Sequence, residues 1–302
     1  MIEQTVTRST ERKAGERVQH GGSALVPGAS RGIGRAVALE LARRGLAVVA
    51  TMRDPKDGAA LPDEARAEGG QVRVAALDLD RPGEMDVPDD LTVLVNNAGT
   101  RGANLPVENT PMEEWRAVFE TNVFGTIDVT RQAIPALRHN GGVICNVTTS
   151  SLLTPLPFFG SYRASKAAIS ALSETMRVEL APIGIRVVEI LPGPVDTRMH
   201  ATSVMYRLPE AVEHEPYRAV AERCFPGTKF ITEELLVTPA AAACAIVDAI
   251  FDADGPLRYG CDPTSVDSLA AWRGRGDEEA MMAAMSYFAR RPPEPSSGPA
   301  PP

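Results

Sequence analysis

The stretch Ser23–Gly45, SALVPGASRGIGRAVALELARRG, decides how this chain is read. A short apolar run (Ser23–Val26) is followed by a loop holding Gly28, Gly32 and Gly34. Then Ile33–Gly45 repeats its apolar residues at helical spacing and stops on glycine. A strand that turns through glycines straight into a helix brings free N–H groups and the positive end of the helix dipole to one point. Such a point suits a phosphate. Taken alone the glycines could form only a tight turn, but their place at the first strand-to-helix junction adds weight to the phosphate reading.

Outward from this unit, short apolar runs alternate with longer amphipathic ones. Leu46–Thr51, Val72–Leu77, Leu91–Val95, Gly142–Val147 and Ile185–Leu191 read as strands, and their unbroken hydrophobicity suits parallel strands covered on both faces. Met112–Arg138 and Tyr162–Leu180 read as long helices. The alternation predicts an α/β fold: one Rossmann-like domain over 23–290, with a doubly wound parallel sheet and right-handed crossovers. Ligands then bind outside the carboxyl ends of the strands. Residues 1–22 are polar and aperiodic, which predicts a mobile tail. Residues 291–302 are Pro-rich and suit neither helix nor strand.

Composition narrows the class further. The chain has 302 residues, 44% of them hydrophobic and 23% charged, as expected of a globular protein with a sizeable core. A net charge of −8 argues against nucleic acid as a partner. No apolar run reaches the length of a membrane span, and the N-terminal segment has no signal-type hydrophobic core, so a cytoplasmic location is expected. Cys145, Cys224, Cys244 and Cys261 are scattered, as are the four histidines, so no metal site and no disulfide is expected.

The glycine spacing Gly-x-x-x-Gly-x-Gly, Asn-Asn-Ala-Gly at Asn96–Gly99, Tyr162-x-x-x-Lys166 and Pro192–Thr197 (PGPVDT) occur in this order on the expected elements. Together they resemble the short-chain dehydrogenase/reductase family over about Ser23 to Tyr259. One departure is Pro27, where the family commonly has Thr. The resemblance implies the strand order 3-2-1-4-5-6-7 and a nicotinamide cofactor. Gly28, Ser30, Arg31, Gly32, Ile33 and Gly34 would then line the pyrophosphate and adenosine-phosphate side. Asp78 and Leu79 would meet the adenine, and Asn96, Ala98 and Gly99 would pass beneath the ribose. Pro192, Gly193, Val195 and Thr197 would hold the nicotinamide. Lys166 would also bind the nicotinamide ribose beside Tyr162.

Cofactor choice has a physical reading. An NAD site places a carboxylate after the second strand for the ribose 2′-OH. That position here holds Met52, followed by Arg53, while Arg31 sits in the glycine loop. Two guanidiniums favour a 2′-phosphate, so NADP(H) is expected over NAD(H), with Asp54 as a mild counter-argument.

Tyr162 and Lys166 are one helical turn apart on one face. A free tyrosine ionises near pH 10, and a neighbouring ammonium favours the tyrosinate, so Tyr162 can exchange a proton with an alcohol or carbonyl oxygen. The resemblance adds Asn122, in Thr-Asn-Val-Phe-Gly, as holder of a relay water. It also adds a hydroxyl residue thirteen before the tyrosine, which is Thr149. Ser150 is the alternative if the strand ends early or bulges. The residues Leu152, Leu153, Leu156, Phe158 and Phe159 are apolar. So are Met205, Tyr206, Leu208, Tyr217 and Phe225 in the segment where the family has its lid, about 198–236. They suit a lipophilic carbonyl or alcohol substrate, and equally a core or a subunit contact. The C-terminal segment resembles the 17β-hydroxysteroid and retinol dehydrogenase branches. The expected activity is that of an NADP-dependent alcohol dehydrogenase or carbonyl reductase, assembled as a homodimer or homotetramer by resemblance. A catalytically idle NADP-binding sensor or scaffold is the alternative.

Overall fold

A computed structural model describes residues 21–201, 210–224 and 235–274. Seven strands form one sheet: β1 (Ser23–Pro27), β2 (Ala47–Met52), β3 (Gln71–Ala76), β4 (Leu91–Asn96), β5 (Gly142–Val147), β6 (Ile185–Ile190) and β7 (Arg258–Tyr259). Every pairing is parallel, in the order β3-β2-β1-β4-β5-β6-β7 that was expected. The helices are α1 (Gly32–Arg43), α2 (Leu61–Ala67), α3 (Met112–Phe119), α4 (Thr126–Asn140), α5 (Gly160–Leu180), α6 (Arg198–Ala201), α7 (Arg218–Cys224), α8 (Pro239–Phe251) and α9 (Pro263–Arg273).

Alternate strand residues feed two apolar layers, as the period of two requires. Ala24, Val26 and Val95 pack with Leu41 of α1 and Ile246 of α8. Leu25, Leu94 and Val187 pack with Leu137 of α4 and Met176 of α5. Burying each such leucine or isoleucine contributes about 1.5–3 kcal/mol, which is why the strands read as unbroken apolar runs.

The single long helix expected over Met112–Arg138 is divided. A π-helical turn, Glu120–Gly125, separates α3 from α4. Gly125 at its end lets the chain after β3 pack closely, because a Cβ there would come within 2.2 Å of the Leu79 carbonyl oxygen. Strand β7 is only two residues long and leaves no periodic signal.

The chain crosses from β3 to β4 on the far side of β1, so the helices that follow β1 and β4 pack on opposite faces of the sheet and a crevice opens at the carboxyl edge between them. No helix among the described residues is long and apolar enough to cross a membrane. The expectations for both tails, and for Met205, Tyr206, Leu208 and Phe225, lie outside the described residues.

Candidate active site

At the crevice, Gly28 adopts φ 72°, in the region that favours glycine. A Cβ there would sit 2.7 Å from the Ala98 Cα, so the loop after β1 rests directly on the loop after β4. Gly34 is as constrained: a Cβ would lie 2.2 Å from Nδ2 of Asn97, which donates to the Gly28 carbonyl at 3.1 Å. Helix α1 begins at Gly32 with no side-chain cap and no acid in its first turn. Its N–H groups are therefore left for an anion. Pro27 is accommodated as the last residue of β1.

A cavity of about 1020 Å³ runs from this loop along the carboxyl edge of the sheet. Gly28, Ser30, Arg31, Gly32, Ile33 and Gly34 line one end. Arg53 follows on the exposed side of the buried Met52, and Asp57 also faces the space. Asp54 does not line it; its carboxylate accepts from the Lys56 N–H at 3.0 Å and caps a short turn. Asp78 and Leu79 line the next section, and Ala98 and Gly99 the floor. The residues placed here could hold a dinucleotide, with the glycine cradle and the open helix terminus at its phosphates.

Asn96 departs from the expected role. It is buried, and its Nδ2 donates to Thr130 Oγ1 at 2.9 Å and Asn146 Oδ1 at 2.8 Å, tying β4 to β5. The cleft is lined instead by its neighbour Asn97. Asn146 lies opposite Asn96 in the β4–β5 register, which only the assembled sheet reveals.

Pro192, Gly193, Val195 and Thr197 line the cavity on the loop after β6, which returns to the glycine loop at Thr197, 3.3 Å from where a Gly32 Cβ would sit. This loop is fastened from outside. The Gly193 N–H donates to Asp262 Oδ2 at 2.7 Å, and Asp262 also caps α9. Asp262 was not singled out in the sequence, although Gly-Cys-Asp before a helical run carries an N-cap signal.

The chemical groups line the same cavity. Tyr162 and Lys166 both face the cavity from α5. The Lys166 ammonium donates to the Val147 carbonyl at 2.8 Å. Asn122 lies in the π turn, a geometry often found at functional sites. Its Oδ1 accepts from the Thr100 N–H at 2.7 Å, and its Nδ2 donates to the Thr100 carbonyl and to Ser165 Oγ, both at 2.9 Å. The side chain of Asn122 is thus committed to holding the loop after β4 against α5. Gly99 permits the convergence, since a Cβ there would lie 3.1 Å from Asn122 Oδ1 and 3.4 Å from Lys166 Nζ.

The hydroxyl run lies beyond the strand. Strand β5 ends at Val147, the early end under which Ser150 is the alternative to Thr149. The chain enters a 3₁₀ turn over Ser150–Leu152 with Thr149 as its N-cap. The Thr149 hydroxyl donates to Ser151 Oγ at 3.1 Å and accepts from the Ser151 N–H at 3.2 Å, and it lines the same cavity as the Tyr162 phenol. Ser150 is held through its backbone, donating its N–H to the Pro192 carbonyl at 2.8 Å.

Electrostatics at this centre differ from the simple tyrosine–lysine picture. Burial pushes the Tyr162 phenol above its ordinary value, while the Thr149 hydroxyl and the Arg101 guanidinium pull it back. Burial pushes the Lys166 ammonium down to about 8, and the Glu189 carboxylate pulls it up. Glu189 is fully buried on β6, accepting from Thr148 Oγ1 at 2.8 Å and from Arg258 Nε at 2.9 Å. Neither Arg101 nor Glu189 stood out in the sequence, because each reaches the centre only through tertiary packing.

Of the apolar residues after Thr149, Leu156 and Phe159 line the cavity. Leu153 packs instead on Leu191 and Leu269, and Phe158 on Ala211, Ala221 and Tyr217. Among the described residues no three His, Cys, Asp or Glu side chains are grouped to hold a metal.

Comparison with known proteins places this geometry. The family model described as short chain dehydrogenase matches residues 23–206. A 3β-hydroxysteroid dehydrogenase of Eggerthella lenta is 33% identical over 217 residues, covering 68% of this chain and 80% of that one. An uncharacterised oxidoreductase of Bacillus subtilis is 39% identical over 193 residues, covering 60% and 68%. Among solved structures, a short chain dehydrogenase of Burkholderia cenocepacia in complex with NADP superposes with a TM-score of 0.63 at 28% identity, covering 87% of this chain and 96% of that one. With its parallel sheet, glycine loop and Tyr162–Lys166 helix, the chain belongs to the short-chain dehydrogenase/reductase family of oxidoreductases.

Proposed function

We propose that the chain is an NADP(H)-dependent oxidoreductase that interconverts a ketone or aldehyde and the corresponding alcohol. The observation that carries this is the meeting of Thr149, Tyr162 and Lys166 in one cavity with the glycine loop. A bound nicotinamide supplies hydride to the substrate carbon in reduction and accepts it in oxidation. Thr149 holds the substrate oxygen beside Tyr162. In reduction Tyr162 gives that oxygen its proton, and in oxidation it takes the proton from the alcohol. Lys166 supports the tyrosinate as an ammonium, and Asn122 keeps the loop after β4 fixed beneath both.

The NADP preference is supported by Arg31 and Arg53 on the cleft, by Met52 where an acid would oppose a 2′-phosphate, and by the diversion of Asp54 to a turn cap. Leu156, Phe159, Met199 and Leu235 give the substrate side apolar surface. A lipophilic carbonyl or alcohol fits it, in keeping with the hydroxysteroid named for the Eggerthella relative. Met112 and Phe124 (each 56% exposed) and Val178 (76%) offer apolar surface that a homodimer or homotetramer would cover.

A screen of ketones and alcohols, followed by nicotinamide absorbance, tests the reading. Turnover with NADPH, lost in Tyr162→Phe, is the expected result. Tight NADPH binding with no turnover across a broad panel would favour a sensor or scaffold instead.

A further inference from the structure

Helix α9 turns two hydroxyl residues toward the cavity. Val266 faces outward, 51% exposed, while Ser265 is fully buried and Thr264 and Ser268 are turned to the cavity. Ser265 is accounted for by the cap, where its Oγ donates to Asp262 Oδ2 at 2.7 Å. Thr264 and Ser268 are not accounted for in this way. They lie four apart on one helical face, half-buried, and among the described residues neither hydroxyl has a hydrogen-bond partner.

Their position is well fixed. Asp262, at the start of α9, holds the Gly193 N–H. Further along, Leu269 packs on Leu153 and Leu191, which follow the hydroxyl run and β6. The helix is therefore anchored to the segments that follow the hydroxyl run and β6, and Thr264 and Ser268 line the same cavity as Tyr162. A hydroxyl both donates and accepts, so the pair suits a neutral oxygen better than a charged group.

We infer that Thr264 and Ser268 form a subsite for a second oxygen of the substrate, so that the preferred substrate is a ketone or secondary alcohol carrying a further hydroxyl group. This rests on the oxidoreductase reading above and deepens it. The apolar residues on the cleft take the carbon skeleton, Thr149 and Tyr162 take the reacting oxygen, and α9 reads the distant one. A substrate lacking that oxygen forgoes the hydrogen bonds these two hydroxyls can make, which weakens its binding.

The test is a matched series with NADPH: cyclohexanone and decalone parents against the same ketones with a hydroxyl at each ring position. The best hydroxylated member is expected to exceed its parent in kcat/KM by roughly 5–20-fold, as two neutral hydrogen bonds allow. In the double variant Thr264→Val with Ser268→Ala that ratio falls toward one. The exchange Thr264→Ser with Ser268→Thr retains it, which separates loss of hydroxyls from damage to the helix. A wild-type protein indifferent to every added hydroxyl, or a preference that survives the double variant, overturns the inference. Absence of turnover on every parent and every hydroxylated ketone defeats the oxidoreductase reading itself, a distinguishable result.

Discussion

The Lys166 ammonium lies 2.8 Å from the carbonyl oxygen of Val147, the last residue of β5, and so is fastened to the strand that delivers Thr149. Helix α5 and the end of β5 are thereby locked together at the point where chemistry is proposed. The next residue, Thr148, is bound to the buried Glu189, which opposes the loss of the lysine proton.

A pH dependence follows. With burial holding Lys166 down to about 8, its ammonium is present below that pH and lost above it. If the ammonium supports Tyr162, kcat/KM, which reports groups of the free enzyme, falls as pH rises through that range. Glu189→Gln removes the carboxylate that pulls the lysine up, so this limb moves to lower pH. Profiles that superimpose for the two proteins would show that Glu189 does not act on Lys166.

For the cofactor, Arg53→Ala is expected to weaken NADPH binding by about 1.5–3 kcal/mol if the contact is desolvated, with little effect on NADH. Arg31→Ala acts in the same direction, more weakly. Titrations of both nucleotides by fluorescence decide it, and equal losses for the two would defeat the 2′-phosphate assignment.

Asn96 and Asn97 separate structure from binding. Asn96→Ala leaves the buried Asn146 oxygen without its donor and costs about 1–3 kcal/mol of stability, with cofactor affinity nearly kept. Asn97→Ala releases the Gly28 carbonyl at the phosphate loop and loses cofactor affinity instead. Denaturation and NADPH titration of the pair check this. The reverse pattern would return Asn96 to the ribose.

These two asparagines show what local sequence can and cannot tell. The glycine loop and the Tyr162–Lys166 spacing are readable because each acts within one turn of chain. The order of the sheet follows from alternating elements together with the family resemblance. Asn96 was placed in the cleft because nothing local shows that Asn146 stands opposite it on β5. Arg101, Glu189 and Asp262 reach the site across the fold, from loops and strands whose sequences look ordinary. The close packing at Gly125 is equally hidden, since that glycine gains its meaning only from the Leu79 carbonyl against it.

The hydroxyl run carries the last prediction. The family spacing of thirteen chose Thr149, with Ser150 as the alternative if the strand ended early, and β5 does stop at Val147. Thr149 remains the proposed partner because its hydroxyl draws the Tyr162 phenol down, while Ser150 is held by its backbone to Pro192. Thr149→Val keeps the shape and removes the hydroxyl, so turnover should fall by roughly 10²–10³-fold, as for other donors lost at a developing oxyanion. NADPH affinity should stay nearly unchanged. Thr149→Ser retains the hydroxyl and should remain active, with a wider substrate range once the methyl is gone. Ser150→Ala should be mild. Steady-state kinetics on one ketone settles the order of these effects. If Ser150→Ala abolishes turnover while Thr149→Val spares it, Ser150 is the partner of Tyr162. Tyr162→Phe serves as the control, since it removes the proton donor whichever hydroxyl assists. A Tyr162→Phe protein that still turns over would sink the mechanism and not merely the choice between neighbours.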